Sequence, residues 1–449
     1  MTRFRRLKGR LLVENFLGPS RRLFALVIGV GFGGGLIGAA YVGTLHLLQR
    51  GLWPTHWANS THLLILVGVG LAVGVLTKLL GSPGDVELLV NNIHVLGGSE
   101  DQRELRSLIP VSLLCIAAGG GMGPEAPLVQ TTGNFGSWVA TRAGLHRDEM
   151  RVLTITGMAA AFTVLFGAPL GSAVFALEIL HRRGLEYYEA LMPAVIGSLT
   201  GYAVYVVLTG AGLEPIWTLP GLDSLSVGDI GWAVVCGAGG AVIAVAFTYL
   251  AKVLQWLFRH LSPTVRPVAG GLALAGLAFW SPYALTFGEA QLDPMLVRRA
   301  TVAILATAVL AKLCGAAVTL SSGWRGGFII PLFFMGAALG RLFHLWFPHT
   351  HEAVLISALM VAANVGVTKT PIGSTLVVTE MAGVHLLPTT LLAAVVALFL
   401  TSEVSLIHTQ RERENALTGV EPGEAKVDPA HGAAVDAPLP RPEDGAAAS

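Results

Sequence analysis

Gly123-Pro124-Glu125-Ala126-Pro127 sets one carboxylate between two prolines in a stretch with almost no other charge. At membrane depth an ionised Glu costs about 2.5–3.5 kcal/mol, so it persists only beside a cavity, a partner or a function. Pro127 suits the first position of a helix running from Leu128 towards Trp138. Glu125 would then lie just outside a helix N-terminus, where free N–H groups and the helix dipole favour negative charge. A site that holds a carboxylate in this way can hold a free anion instead. The chemistry implied is competition between a tethered carboxylate and a mobile anion.

Two further loops have a similar make-up. In Gly81-Ser82-Pro83-Gly84-Asp85, Ser before Pro reads as the cap and first residue of a helix through Val86 and Val90. Ser82 either closes a capping box with Asp85 or turns its hydroxyl towards an anion, which Asp85 would repel unless it points away. In Gly323-Trp324-Arg325-Gly326-Gly327-Phe328-Ile329-Ile330-Pro331, the glycines allow a sharp bend and Pro331 opens a helix towards Arg341. The N–H groups of Phe328 and Ile329 would be free donors there; the plainer reading is a hinge. Glu178-x-x-His181 supplies at most two metal ligands, and the corresponding stretch at Glu380 has Gly383 in place of the His. It reads as a charged residue and a His at a helix end, with an intramembrane metal protein or enzyme as the remote alternative. The sequence therefore points away from an enzyme and requires no cofactor.

The elements that position these loops belong to a membrane. Of 449 residues, 53% are hydrophobic and only 13% charged, where a soluble chain has about 25% charged. Mean hydropathy is +0.66, which describes an all-α polytopic membrane protein in a lipid bilayer. A net charge of +1 excludes nucleic acid as an expected partner. Cys115, Cys236 and Cys314 are far apart in apolar sequence and read as free thiols. Seven Arg and Lys residues between Arg3 and Arg22 precede the first apolar segment, Leu23 to Leu48. They place the N-terminus in the cytoplasm, and with it the C-terminus, in a multi-pass protein of the plasma (inner) membrane. No A-x-A-like cleavage site follows that first segment. The expected organisation is a basic segment (1–22), a transmembrane domain (23–410) and a disordered tail (411–449).

Leu63 to Leu80, Ala190 to Leu208, Trp232 to Leu257 and Ala300 to Leu320 are long enough to span. Leu108 to Ala118, Leu128 to Val139, Pro169 to Leu180 and Pro371 to Met381 fall short of about 20 residues. The chain also repeats itself. Met158, Ala160-Ala161, Pro169, Gly171-Ser172 and Glu178 recur as Met360, Ala362-Ala363, Pro371, Gly373-Ser374 and Glu380. The offset is 202, while Gly123 to Pro127 matches Gly327 to Pro331 at an offset of 204. Two repeats, near 63–209 and 229–407, with broken or half-spanning helices point to an ion site at mid-membrane.

In this order, G-S-P-G-D (81–85), G-P-E-A-P (123–127) and G-F-I-I-P (327–331) resemble the CLC family of chloride channels and chloride/proton exchangers. The family motifs are G-S-G-I-P, G-[RK]-E-G-P and G-x-F-x-P. Gly133-Asn134-x-Gly136 and A-P-L-G-S at 168–172 extend the likeness from about residue 23 to 410. The resemblance implies two inverted repeats and a homodimer with one anion pathway per subunit. It implies that Glu125 gates the pathway and that Ser82, Gly123, Pro124, Ala126, Gly327, Phe328 and Ile329 line it. Exchangers of the family carry a second Glu where Ile179 follows Glu178, and a Tyr where Ile407 stands in Ser405-Leu406-Ile407-His408-Thr409-Gln410. These departures favour passive or weakly proton-coupled conduction of chloride or a similar anion over chloride/proton antiport. They leave bromide, nitrate and fluoride open beside chloride.

Overall fold

The computed structural model describes residues 21–53, 59–83, 90, 92–94, 97–98, 103–183, 187–210, 212, 216–222, 224–297, 300–407 and 410–412. The basic N-terminal segment up to residue 20, Asp85 and the tail beyond residue 412 lie outside them. In the first half α1 (Arg21–Leu52) and α2 (Asn59–Leu80) are followed by α3 (Arg103–Ala117), α4 (Glu125–Arg142) and α5 (Arg147–Phe166). α6 (Pro169–Glu178) and α7 (Leu191–Thr209) complete it. The second half runs α8 (Val227–Phe258), α9 (Arg266–Trp280), α10 (Glu289–Val297), α11 (Val302–Ser321) and α12 (Ile329–Trp346). It ends with α13 (Glu352–Thr368), α14 (Pro371–Ala382) and α15 (Leu387–Leu400). The fold is all-α except for β1 (His181–Arg183) and β2 (Arg411–Glu412), a short parallel pair joining the end of α6 to the C-terminal segment.

Seven of the described helices are long and apolar enough to cross a membrane, among them α1, α2, α7 and α8. These four turn large apolar side chains outward, including Leu64, Leu79, Val207 and Val242. Such faces suit lipid, where no water competes for them. α5 and α13 do the opposite. They are equivalent in the two repeats, and nearly every residue from Leu153 to Phe166 and from Ala353 to Thr368 is buried. Their hydroxyls are satisfied within the helix: Thr156 Oγ1 donates to Val152 O at 2.7 Å, and Thr163 Oγ1 to Ala159 O at 2.8 Å. In the other repeat Thr368 Oγ1 donates to Asn364 O at 2.9 Å. This lets polar residues sit in a dry core without an unpaired donor.

The two repeats are inverted with respect to each other and meet reciprocally. Short helices α6 and α14 cross so that each carries a carboxylate to the other's N-terminus. Glu178 accepts from Ile372 N–H at 3.2 Å and from Gly373 N–H at 2.6 Å. Glu380 accepts from Leu170 N–H at 3.3 Å and from Gly171 N–H at 2.6 Å. Pro169 and Pro371 open these helices, and neither has an N–H to leave unsatisfied.

Two helix starts differ from the sequence expectation. α4 begins at Glu125 and α12 at Ile329, so Pro127 and Pro331 are each the third residue of their helices. The N–H groups of a first turn have no partner inside the helix, so Pro is accommodated throughout that turn and does not mark its first residue. Glu125 therefore lies within the helix and not just outside it.

Candidate functional site

The loops before α4 and α12 form one structure. Gly123 N–H donates to Gly327 O at 2.7 Å, and Gly327 N–H donates back to Gly123 O at 2.6 Å. Leu128 N–H then closes the first turn of α4 on Pro124 O, as Leu332 N–H closes that of α12 on Phe328 O, both at 3.0 Å. The bridge brings two helix N-termini towards one point. The approach is close at both glycines, against the Glu125 side chain at Gly123 and against backbone at Gly327. A Cβ on Gly123 would stand 2.8 Å from the Glu125 carboxyl carbon, and one on Gly327 would stand 2.8 Å from the Ala126 nitrogen.

Glu125 is wholly buried. Its Oε1 accepts the N–H of Ile330, at the start of α12, at 2.5 Å. Its Oε2 has no hydrogen-bond partner among the described residues. A buried oxygen without a partner costs about 1–3 kcal/mol, so the carboxylate is tethered on one side and unsatisfied on the other. The helix dipole of α12 adds attraction for negative charge at the same point. The donor it takes is one residue beyond the Phe328 and Ile329 amides expected from the sequence.

Two cavities are lined by residues next to this carboxylate, Pro124 and Ile330 in one and Ala126 and Ile329 in the other. One holds about 130 Å³ and is lined by Pro124, Ile330, Phe287, Glu289, His46 and Tyr205, among others. The other holds about 20 Å³, room for a single ion or water, and is apolar. Ala126, Gly327, Phe328 and Ile329 line it from the two loops, and Met158, Phe162 and Ile179 close it. Of the residues singled out by sequence, Gly123, Pro124, Glu125, Ala126, Gly327, Phe328 and Ile329 therefore come together. Ile330, Met158 and Phe162 join them without having been expected.

Ser82 and Ile407 are placed differently. Ser82 is exposed and lines neither cavity. Its loop is nevertheless tied to the neighbouring one, since Arg325 Nη2 donates to Pro83 O at 3.0 Å. Ile407 is buried, and its carbonyl accepts from Ser405 Oγ at 2.9 Å. Close to it in sequence, Gln410 Nε2 donates to Ile179 O at 2.9 Å and to Thr368 O at 2.8 Å, locking the C-terminal segment onto the end of α6. Glu178 and His181 each meet other groups. Glu178 is held by the amides of α14, and His181 Nδ1 lies 3.3 Å from Leu177 O. Among the described residues no three His, Cys, Asp or Glu side chains gather as metal ligands.

Comparison with known proteins bears on the family and the fold. Residues 101–402 match the family described as voltage gated chloride channel. A "Chloride/fluoride channel protein" of Pseudomonas syringae pv. tomato is 28% identical over 381 residues, covering 80% of each chain. The crystal structure of a slow cyanobacterial Cl⁻/H⁺ antiporter superposes with a TM-score of 0.75 at 20% identity, covering 86% of this chain and 95% of its own. A CLC-type fluoride/proton antiporter gives 0.74 at 23% identity, covering 87% of this chain and 98% of its own. At that identity the two structures speak for the fold.

Proposed function

The chain belongs to the voltage gated chloride channel family, and on that premise we propose that it conducts chloride or a similar anion along a path gated by the Glu125 carboxylate. The observation that carries this reading is the bond from Ile330 N–H to Glu125 Oε1, made between two loops whose other residues line both cavities. An anion that reaches this point competes for the same amide and the same helix dipole. Protonating Glu125 removes its charge, weakens its hold on Ile330 and frees the position. Gating and acidity are linked through this one group.

Conduction is passive or weakly coupled to protons. On the inner side of Glu125 the small cavity is walled by Met158, Phe162, Ile179, Phe328 and Ile329, none of which binds a proton. Among the described residues, a proton that neutralises Glu125 has no titratable side chain in that wall to pass to. The competing reading is chloride/proton antiport, in which water carries the proton inward.

Two further readings follow from exposed faces. Leu170 and Ile372 are about half exposed beside the exposed Glu380. A carboxylate bordering lipid is costly, and a second copy of this chain laid on that face would cover it, which supports a homodimer. Arg21 and Arg22 open α1, which supports a cytoplasmic N-terminus in an inner or plasma membrane.

The test is reconstitution into liposomes with an outward anion gradient, recording anion efflux and proton movement together. Anion efflux with few protons moved supports the proposal. Protons driven uphill by the anion gradient support the antiporter. No efflux of chloride, fluoride, bromide or nitrate would overturn both. The relative from Pseudomonas syringae pv. tomato bears both chloride and fluoride in its name, so those two ions are compared first.

A further inference from the structure

The larger cavity contains a second carboxylate. Glu289 is the first residue of α10 and faces the space that Pro124 and Ile330 border. Its main chain is clamped. Trp217 Nε1 donates to Glu289 O at 3.0 Å. Lys312, fully buried within α11, donates to Leu285 O at 2.9 Å, Thr286 O at 2.7 Å and Gln291 Oε1 at 3.0 Å. Thr286 N–H in turn donates to Gly119 O at 2.9 Å, tying this turn to the chain just before the Glu125 loop. A cation buried this deeply in a membrane protein marks a function. The role of Lys312 in the fold is to fix the turn that presents Glu289.

The cavity suits proton exchange. About 130 Å³ holds several waters, since one needs roughly 10–15 Å³ of such space. It lies at the far end of α1 from Arg21 and Arg22, because His46 lines it near the close of that helix; with the N-terminus in the cytoplasm, as proposed, it faces the outside. Among the described residues, the titratable groups facing it are Glu289, His46, Tyr202 and Tyr205. Asp293, one turn along α10, acts on Glu289 electrostatically, and Glu289 acts likewise on Glu125. Burial, and after it the charge of Asp293, holds the Glu289 carboxyl above the usual range.

We propose that Glu289 is the outer proton-exchange residue of the gate, binding protons from external water and passing them through the cavity to Glu125. This rests on Glu125 being the gate. In the step itself a proton leaves the Glu289 carboxyl, crosses cavity water and neutralises the Glu125 carboxylate. Glu289 remains as a carboxylate and is reprotonated from outside. While ionised, it also repels the Glu125 charge and so favours the protonated, open gate.

The experiment measures chloride efflux from liposomes at graded external pH with the internal pH fixed. It compares the parent protein with Glu289→Gln, Glu289→Asp, Glu125→Gln and the double variant Glu125→Gln/Glu289→Gln. Glu289→Gln is expected to move the activating midpoint to lower pH by roughly 0.5–1 unit, because it removes a negative neighbour, and Glu289→Asp to move it back. The double variant is expected to be as flat as Glu125→Gln alone. An unmoved midpoint in Glu289→Gln, with protein that runs as a single folded species, overturns the proposal. So does a Glu289→Gln effect that persists in the Glu125→Gln background. A pH response that survives in Glu125→Gln instead removes the gate itself, whatever Glu289→Gln does.

Discussion

Glu178 and Glu380 each cap the helix that carries the other. Both take two amides of the first turn, and in both the nearer, 2.6 Å, bond is to a glycine N–H: Gly373 for Glu178 and Gly171 for Glu380. The two interactions are related by the same repeat that makes Gly123 and Gly327 exchange hydrogen bonds. The molecule is thus closed at two points by an internal two-fold relationship, one under the gate loops and one between α6 and α14.

Removing one of these caps is expected to cost stability without touching the path. Glu178→Ala leaves the Ile372 and Gly373 amides unpaired in a mostly buried place, at about 1–3 kcal/mol. Glu178→Gln keeps an acceptor and is expected to cost less. Thermal unfolding in detergent orders the three proteins as parent, Gln, Ala. An Ala variant as stable as the parent would show that the caps carry little.

The paired loops leave little room for a side chain at Gly327. Gly327→Ala places a methyl group against the Ala126 nitrogen and the Glu125 side chain, and overpacking of this kind costs about 1–3 kcal/mol. If the fold survives, the carboxylate is pushed off Ile330. The expected outcome is higher anion flux at neutral pH and a shallower response to acid. Unchanged flux and unchanged acid response would contradict the close packing of these loops.

Ser82 gives a contrasting expectation. Its hydroxyl is exposed and lines neither cavity, and exposed substitutions usually fall within about 0.5 kcal/mol. Ser82→Ala is therefore expected to leave the ranking of chloride, bromide and nitrate efflux unchanged. A changed ranking would place Ser82 in the path after all.

The reversal potential of reconstituted protein under a combined chloride and pH gradient reports the coupling. With only apolar side chains beside Ile179 in the small cavity's wall among the described residues, the value is expected to lie at the chloride Nernst potential. A displacement that follows the pH gradient would favour the antiporter. Ile179→Glu alone need not install coupling, because it sets a single carboxylate among the apolar side chains of Met158, Phe162, Phe328 and Ile329.

Much of this was legible in the sequence. The apolar runs gave helix positions to within a few residues, as in Pro371 to Met381 against α14, because length and hydropathy are local properties. The recurrence of Pro, Gly-Ser and Glu at an offset of 202 anticipated the α6–α14 pair. The part that was not legible is the contact between repeats. Nothing near Ile330 in sequence announces that its N–H meets Glu125, since the approach is created by inversion and by Gly123 pairing with Gly327. The clamp at Lys312 was visible only as a lone cation in an apolar run, a signal that the segment from Ala300 to Leu320 carries openly. The extended burial of α5 and α13 was likewise hidden, because Ala- and Gly-rich helices read alike whether they face lipid or protein.

The gate is tested most directly by anion efflux as a function of external pH in Glu125→Gln. The neutral amide imitates the protonated carboxyl and cannot compete as an anion for the Ile330 N–H. The expected result is flux that is high at every pH and nearly flat where the parent rises with acidity. A Glu125→Gln protein that keeps the parent's pH response would contradict Glu125 as the gate.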